Sequence, residues 1–336
     1  MPFTVPKDQC YRTFTTLLAL VQDSNKFLRE NITNGEYWTF CIQVGKQWKT
    51  FGIMTTKNAL HLNAAGVAPR WLTINYTTRQ IQLNPEHSAN GTRLEAAFDQ
   101  IRSHLHRTGL WAGTLKKYDD EKWPLVGAPF EAGILCDMVP IFGTVTTGVH
   151  LNIFQRRGKE TLIYVAQRAK DKTFGGLLDQ CAAGGFQSGT DRDALSCMVR
   201  EAEEELKEGL PESDLRGAMK RQRCIQYCDV RDERWGDDEV GVPEPGIRVP
   251  FDLELREDAS MRGETKEIMR IEALSVAQVR AALLAGQFKP NCALVMIDFL
   301  IRKNHLTDAQ DLRDVPEIRK LLELTKIHCL EVKEVE

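Results

Sequence analysis

Apolar residues recur along this chain with two different periods, and the switches between them divide it into elements. From residue 10 to 29 the spacing is helical, with Tyr11, Phe14, Leu18 and Val21 on one face. Strand-like alternation follows at Trp48, Phe51 and Ile53, then at Leu72, Ile74 and Tyr76, then at Ile81 and Leu83. Thr77-Thr78-Arg79-Gln80 forms a turn between the last two. The helical period returns from Thr92 to Arg107, where Leu94, Ala97, Phe98, Ile101 and Leu105 make one stripe and Gly109 stops it. Leu125 to Pro140 reads as a connection between modules.

Beyond it, Val149–Phe154 and Thr161–Gln167 read as strands around the turn Arg156-Arg157-Gly158-Lys159. An amphipathic helix with one acidic face comes next, then a strand at Cys224–Val230 and a long polar, Pro/Gly-rich segment from Arg231 to Pro250. Phe251–Leu255 and Glu267–Leu274 alternate as strands. The second runs into a helix capped by Ser275, with Gln278 at the capping-box position. Another helix starts at Lys289-Pro290-Asn291 and reaches about Arg302. The tail, Thr307–Leu324, contains Asp314-Val315-Pro316-Glu317 as a helix start with Pro in the first turn. The pattern predicts an α/β chain: a smaller α+β module over residues 1–125, a mixed sheet covered by helices over 126–305, and a helical tail over 306–336.

The acidic helix carries the chemistry. In Arg200-Glu201-Ala202-Glu203-Glu204-Glu205, helical spacing stacks Glu201 and Glu205 one turn apart with Glu204 beside them. Leu195, Met198, Val199, Ala202 and Leu206 form the apolar side. Carboxylates this close repel one another unless a cation neutralises them, and oxygen-only clusters suit hard ions such as Mg²⁺ or Mn²⁺. Gly184-Gly185 upstream lets a loop approach the helix, where the Gly184 carbonyl is the backbone ligand to expect. The rival reading is a solvated acidic face with Arg200 as an ordinary helix partner of Glu204.

Composition narrows the partners. The 336 residues suffice for two cores, with 42% hydrophobic and 27% charged residues. A net charge of −3 without a basic tract argues against nucleic acid, and no apolar run reaches the roughly 18 residues of a membrane span. The start, MPFTVPKDQ, has neither a signal core nor an Arg-rich leader, so a cytoplasmic protein is expected. Nine scattered cysteines suggest free thiols in a reducing compartment. Cys224 and Cys228 lack a second ligand pair for zinc, and His104 and His106 lie on different helix faces.

Arg200, Glu201, Ala202, Glu204 and Glu205, with Gly185 upstream, resemble the Nudix hydrolase signature: Gly, five residues, Glu, seven residues, then Arg-Glu-aliphatic-any-Glu-Glu-any-Gly. The chain departs from it in three places. The Gly185–Arg200 interval is one residue longer, Asp191-Arg192-Asp193 replaces the isolated Glu, and Lys207 stands at the closing Gly, with Gly209 two residues late. The phrases Gly109–Gly113, Gly148–Asn152, Leu178–Gly185, Phe251–Leu255 and Phe288–Leu294 are similar to fungal and plant Nudix proteins with a distinctive N-terminal domain, sometimes fused to a thiamine pyrophosphokinase. In that subgroup a Glu tends to stand where Ser196 is.

The resemblance implies an α/β/α Nudix sandwich that hydrolyses thiamine diphosphate, or its oxo and oxy forms, to the monophosphate. It implies Glu201, Glu204, Glu205 and the Gly184 carbonyl as ligands of Mg²⁺ or Mn²⁺. Arg200 would pair with a box carboxylate to fix the helix on its loop. Glu264, in Arg262-Gly263-Glu264-Thr265, is the candidate general base, and Glu239 is a second candidate. Trp235 or Tyr227 would stack on a heteroaromatic ring, and Arg248 would meet a phosphate. Two alternatives stay open: a hydrolase of another nucleoside diphosphate derivative, such as a dinucleotide or coenzyme A, and a non-catalytic Nudix-like binding module. The N-terminal module could cover the substrate or pair subunits into a homodimer.

Overall fold

A computed structural model describes residues 12–27, 30–115, 120–206, 217–258, 261 and 265–323. Tyr11, Lys207, Gly209 and Glu264 lie outside the described residues. The helix expected over residues 10–29 is shorter: α1 spans Leu17–Asp23, leaves Phe14 before it, and starts where Thr16 Oγ1 accepts from the Ala19 N–H at 3.0 Å. After α2 (Glu30–Thr33) come β1 (Tyr37–Val44), β2 (Gln47–Thr55), α3 (Thr56–Ala64), β3 (Leu72–Asn75), β4 (Gln80–Leu83) and α4 (Gly91–Thr108). The strands form one sheet in the order β2–β1–β4–β3, and α4 lays Leu94, Phe98, Ile101 and Leu105 into its core. Gly109, at φ 73°, ends α4 as its spacing predicts.

Besides the four-residue α2, two elements of this module have no expectation behind them. Strand β1 buries Phe40, Cys41 and Ile42 in succession, which hides the period of two. Helix α3 is capped by Thr55 and buries Asn58, Ala59 and Leu62, a weak apolar stripe. The expected connection is also corrected. Residues 122–142 form β5 (Lys122–Pro124), β6 (Gly133–Leu135) and α5 (Val139–Phe142), and Ile134, Met138, Ile141 and Phe142 are buried in the first core. Phe142 packs against Phe40 and Phe98, with ring centroids 4.7 and 5.3 Å apart. A linker this apolar is cheaper folded into a core than left in water.

The second sheet is mixed. Its strands are β7 (Thr146–Arg157), β8 (Glu160–Arg168), β9 (Leu178–Asp179) and β10 (Ala182–Gly185), then β11 (Lys220–Arg221), β12 (Ile225–Val230), β13 (Pro243–Leu255) and β14 (Ile268–Ser275). The main order is β11–β13–β7–β8–β14, with β10 on β7, β12 on β13 and β9 on β8. Among the described strands of this sheet only the β13–β7 pairing is parallel. Helix α6 (Ala194–Glu205) shares a core with Val149, Leu151 and Ile153 of β7. On the opposite sheet face, Phe154, Ile163 and Val165 pack with α7 (Val276–Leu284), α8 (Pro290–Arg302) and α9 (Ala309–Glu323). A mixed sheet between helices on both faces is the α/β/α layering expected. The cores interleave along the chain, because α1 contributes Leu17, Leu20 and Val21 to the second one beside Ile318, Leu321 and Leu322.

Two expectations need correction here. The Pro/Gly-rich segment is loop only as far as residue 242, and β13 begins at Pro243. Prolines lack a donor but keep a carbonyl, and those of Pro245 and Pro250 accept from Thr146 Oγ1 and the Gln222 N–H. The last helix starts at Ala309, where Asp308 Oδ1 accepts from the Gln310 N–H at 2.8 Å, so Pro316 lies inside α9 and not in its first turn. The carbonyl Pro316 cannot bond belongs to Leu312, an exposed residue that water can reach. No helix among the described residues is long and apolar enough to cross a membrane.

Candidate functional site

Helix α6 is built to hold its acidic face in place. Asp193 caps it, with Oδ1 accepting from the Ser196 N–H at 2.7 Å while Ser196 Oγ accepts from the Asp193 N–H at 3.0 Å. That is a complete capping box, so the serine at this position has a structural use. Met198, Val199 and Ala202 bury the opposite side. What remains, Glu201, Glu204 and Glu205, lines a cavity of about 710 Å³ together with Gly184, Trp235 and Arg248.

Gly184 and Gly185, expected in a loop, instead end strand β10, and Arg200 joins the helix to that strand end and to the loop after it. It meets Asp191 through two nitrogens, Nε at 3.0 Å and Nη2 at 2.8 Å, and donates to the Gly185 carbonyl at 3.1 Å and to Glu201 Oε1 at 2.7 Å. Such fork-to-carboxylate pairing fixes orientation as well as charge. Glu204 lies 3.6 Å from Arg200 and is more than half exposed at the cavity rim. Asp191 is thus the acid that latches the box arginine. The sequence signal was its cluster upstream of the helix, and spacing alone could not choose between Asp191 and Asp193.

Glu201 and Glu205 are buried, at 8% and 9% exposure. Glu205 Oε2 accepts from the Ala183 N–H at 2.8 Å, on strand β10. Burial pushes the Glu201 carboxyl up to about 7, against the pull of Arg200, with Glu204 and Asp191 adding to the rise. Burial lifts Glu205 well above the ordinary carboxylate range too, helped by Asp179 and Glu201. Gly184 lies directly beneath: a Cβ there would stand 2.0 Å from Glu201 Cδ. The Gly184 carbonyl turns toward Gly148, where a Cβ would come within 2.7 Å of it. The bare Cα of Gly184 leaves room for the Glu201 carboxylate, and that of Gly148 leaves room for the Gly184 carbonyl. An all-oxygen set, crowded with like charge and partly drained of solvent, fits a hard divalent cation.

A sign follows for the metal-free protein. Glu201 binds its proton more tightly folded than unfolded, so its stabilising share is whole below pH 4.5 and is lost as pH rises through 7. A shift from 4.5 to about 7 amounts to roughly 3 kcal/mol. In EDTA, Tm is expected to fall between pH 5 and pH 8. Added Mg²⁺ should raise Tm more at pH 8 than at pH 5, which thermal melts at the two pH values would check. Equal Mg²⁺ shifts at both would contradict it.

The other predicted residues fall into three groups. Trp235 lies in a 3-10 turn (Glu233–Trp235) on the cavity wall, edge-on to Phe174 at 5.1 Å and beneath the Arg231 guanidinium at 4.1 Å. Arg248 also lines the cavity, but it stands mid-strand in β13 and not on a loop. Its guanidinium donates to the Thr146 carbonyl at 3.0 Å and to the Tyr227 hydroxyl at 2.6 Å. Tyr227 is core, in the cluster with Ile225 and Phe154. Glu239 is buried away from the cavity, paired with Arg231 and accepting from Thr114 Oγ1 at 3.2 Å. That is a structural role, since both partners hold it.

Several lining residues come without a sequence prediction: His150, Arg168, Lys172 and Lys289. The phrases that hold His150 and Lys289 were visible only as resemblances, and Arg168 and Lys172 fall in none of them. A buried His in an apolar strand and a Lys before a helix-starting Pro read as packing and punctuation. All seven cysteines among the described residues are free thiols.

No family model matches the chain. Over 187 residues it is 31% identical to Nudix hydrolase 20, chloroplastic, of Arabidopsis thaliana, covering 53% of this chain and 45% of that protein. It is 28% identical over 184 residues to Nudix hydrolase 24, chloroplastic, of the same plant, covering 53% and 46%. The chain therefore spans about half the length of the relatives it matches. Among solved structures, the NUDIX domain of Shewanella oneidensis NrtR complexed with ADP ribose is 12% identical, covers 52% of this chain and 95% of that one, and has a TM-score of 0.31.

Proposed function

We propose, from its similarity to two Nudix hydrolases over about half their length, that this chain is a divalent-cation-dependent hydrolase cleaving the diphosphate of a small molecule. Thiamine diphosphate or its oxidised oxo and oxy forms are the preferred substrates, giving the monophosphate and phosphate. The observation that carries this reading is the pair of buried carboxylates, Glu201 and Glu205, held beside Gly184 on a cavity wall. Burying two acids so close is unfavourable by itself, and a bound cation removes the cost.

Glu201, Glu204, Glu205 and the Gly184 carbonyl would hold Mg²⁺ or Mn²⁺. When bound, the ion neutralises phosphate oxygens and acidifies a water. Arg200 keeps α6 registered on the end of β10, at the Gly185 carbonyl, and on the loop after it, at Asp191, so the carboxylates do not drift. Trp235 and Phe174 offer an aromatic wall for the organic end. Arg248, tied to Thr146 and Tyr227, adds fixed positive charge to the cavity. Glu264 precedes Thr265 and Lys266, which line the cavity, and is the carboxylate proposed to take the proton of the attacking water.

The test is phosphate release from thiamine diphosphate, its oxo and oxy analogues, a dinucleotide and coenzyme A, each with and without Mg²⁺. Turnover that needs the cation and favours the thiamine compounds is expected. Turnover of none of them would leave the binding-module reading in its place.

A further inference from the structure

Three phrases distant in sequence, around His150, Asp179 and Lys289, meet at one wall of the cavity. The chain is pinned there: the Leu178 N–H donates to the Gln287 carbonyl at 2.8 Å, and the Lys289 N–H to the Leu178 carbonyl at 3.0 Å. His150 stands opposite Ala183, the residue whose N–H holds Glu205.

The hydrogen bonds of this wall determine what it presents. Gln180 Nε2 donates to the Cys292 carbonyl at 3.0 Å, so Gln180 Oε1 must face His150 Nδ1, at 2.9 Å, as an acceptor. Nδ1 therefore carries the imidazole proton. Burial, with Arg248 and Lys289 nearby, keeps the ring neutral, its pKa driven down to about 3. Nε2 is left with a bare lone pair and no hydrogen-bond partner among the described residues, on a side chain only 3% exposed that lines the cavity. Lys289 lines the same cavity and makes no ion pair with any described residue.

His150, Asp179 and Cys292 offer ligand atoms within 4.8 Å of one another, which suggests a metal site. The surroundings argue against it. Asp179 already binds Arg168 at 2.6 Å and accepts from Cys292 Sγ at 2.7 Å and the Gln180 N–H at 2.8 Å. Lys289 and Arg168 outweigh its burial and keep its pKa low. A dication there would sit between two cations. The Asp179 network is better described as the scaffold that holds His150 and Lys289 in place.

We propose that His150 and Lys289 read the edge of the substrate's heterocycle, Nε2 accepting from a ring or exocyclic N–H and Lys289 Nζ donating to the lone pair beside it. This rests on the cavity being a diphosphate site, and it specifies what the organic end must offer: a donor next to an acceptor. An aminopyrimidine has an exocyclic N–H beside a ring nitrogen. Its oxo counterpart has a ring N–H beside a carbonyl, the same edge in reverse order. A lone pair facing another lone pair once the ligand has displaced water is penalised far more than a missing apolar contact, so the wall discriminates strongly.

The test uses the 336-residue chain with Mg²⁺ and four diphosphates: the aminopyrimidine compound, its oxo analogue, an analogue with methyl in place of the amino group, and an alkyl diphosphate without a ring. For wild type, KM for the methyl analogue should exceed that of the better of the two natural edges by tenfold to a hundredfold, with kcat little changed. His150→Leu and Lys289→Met should each shrink the preference for ring-bearing over alkyl diphosphate by tenfold or more. Should His150→Leu fail to fold, the methyl analogue and Lys289→Met still decide. The proposal is overturned if the methyl analogue binds as well as its parent, or if both variants weaken all four compounds equally, which would make Lys289 a phosphate contact. If wild type hydrolyses no diphosphate, the enzyme reading fails separately, and calorimetric binding of the same four compounds decides the edge-reading by the same ratios.

Discussion

Glu205→Gln is expected to lower kcat/KM for diphosphate hydrolysis by roughly three orders of magnitude while raising the Tm of the metal-free protein at pH 8. The two effects share one cause. Glu205 is buried, its charge is disfavoured by burial and by Asp179 and Glu201, and its one described hydrogen bond is to the Ala183 N–H. Glutamine has the same shape, and its carbonyl oxygen can still accept from Ala183. What it lacks is the charge, so the folded protein loses a buried repulsion on the order of 1–3 kcal/mol. The same substitution withdraws a negative ligand from any cation facing the cavity. A residue kept for packing would lose stability on substitution, and one kept for function at the expense of stability gains it. Kinetics with Mg²⁺ and melts in EDTA read the two halves. Activity within tenfold of wild type would exclude Glu205 as a ligand, and a lower Tm would show that its charge is satisfied by the protein alone. Glu204→Gln, at a rim residue more than half exposed, should leave Tm nearly unchanged.

The contrast between those two glutamates shows what a linear pattern can and cannot reveal. Helical spacing alone places Glu201 and Glu205 on one stripe, and the apolar stripe opposite it predicts that α6 packs on a sheet. Both features depend only on a period of 3.6 and are local. Which carboxylate is buried depends on β10 crossing over the helix end, a contact between residues 22 positions apart in the case of Ala183 and Glu205. Capping chemistry was equally local, which is why Ser275 with Gln278, and Gly109 after α4, appear where they were read.

The features that escaped are the ones decided by tertiary burial. Residues 122–142 carry little periodicity, yet Ile134, Met138 and Phe142 complete the first core because the first sheet leaves a hydrophobic face uncovered. Pro245 and Pro250 argue locally against a strand. In β13 they survive because their carbonyls, not their nitrogens, are the groups the neighbours use. The His150 wall needed three segments brought together before any of its polar residues could be distinguished from ordinary core and turn positions. Polar residues within apolar runs, such as His150, Asn152 and Asp179, were the available signal, and each gains meaning only from its partner.

Gly184→Ala is expected to abolish the Mg²⁺-induced rise in Tm and to lower kcat/KM by two orders of magnitude or more, at a stability cost of about 1–3 kcal/mol. The backbone at Gly184 does not have the positive φ that glycine alone tolerates, so the effect is one of space. The added Cβ would stand 2.0 Å from Glu201 Cδ and 2.1 and 2.2 Å from its oxygens, and so the carboxylate must leave. Glu201 has little freedom to do so gently. Its Oε1 is held by Arg200 at 2.7 Å, and Arg200 is held in turn by both oxygens of Asp191 and by the Gly185 carbonyl. Moving Glu201 therefore loosens the latch that registers α6 on its loop, and Glu204 and Glu205 move with the helix. Gly185→Ala is the control: its Cβ would come no closer than 3.1 Å to the Trp123 ring, and none of its three nearest atoms belongs to a carboxylate. It should retain most of the Mg²⁺ response. If Gly184→Ala keeps a wild-type Mg²⁺ shift and activity within fivefold, Glu201 is not a ligand, and its burial against the glycine is packing alone.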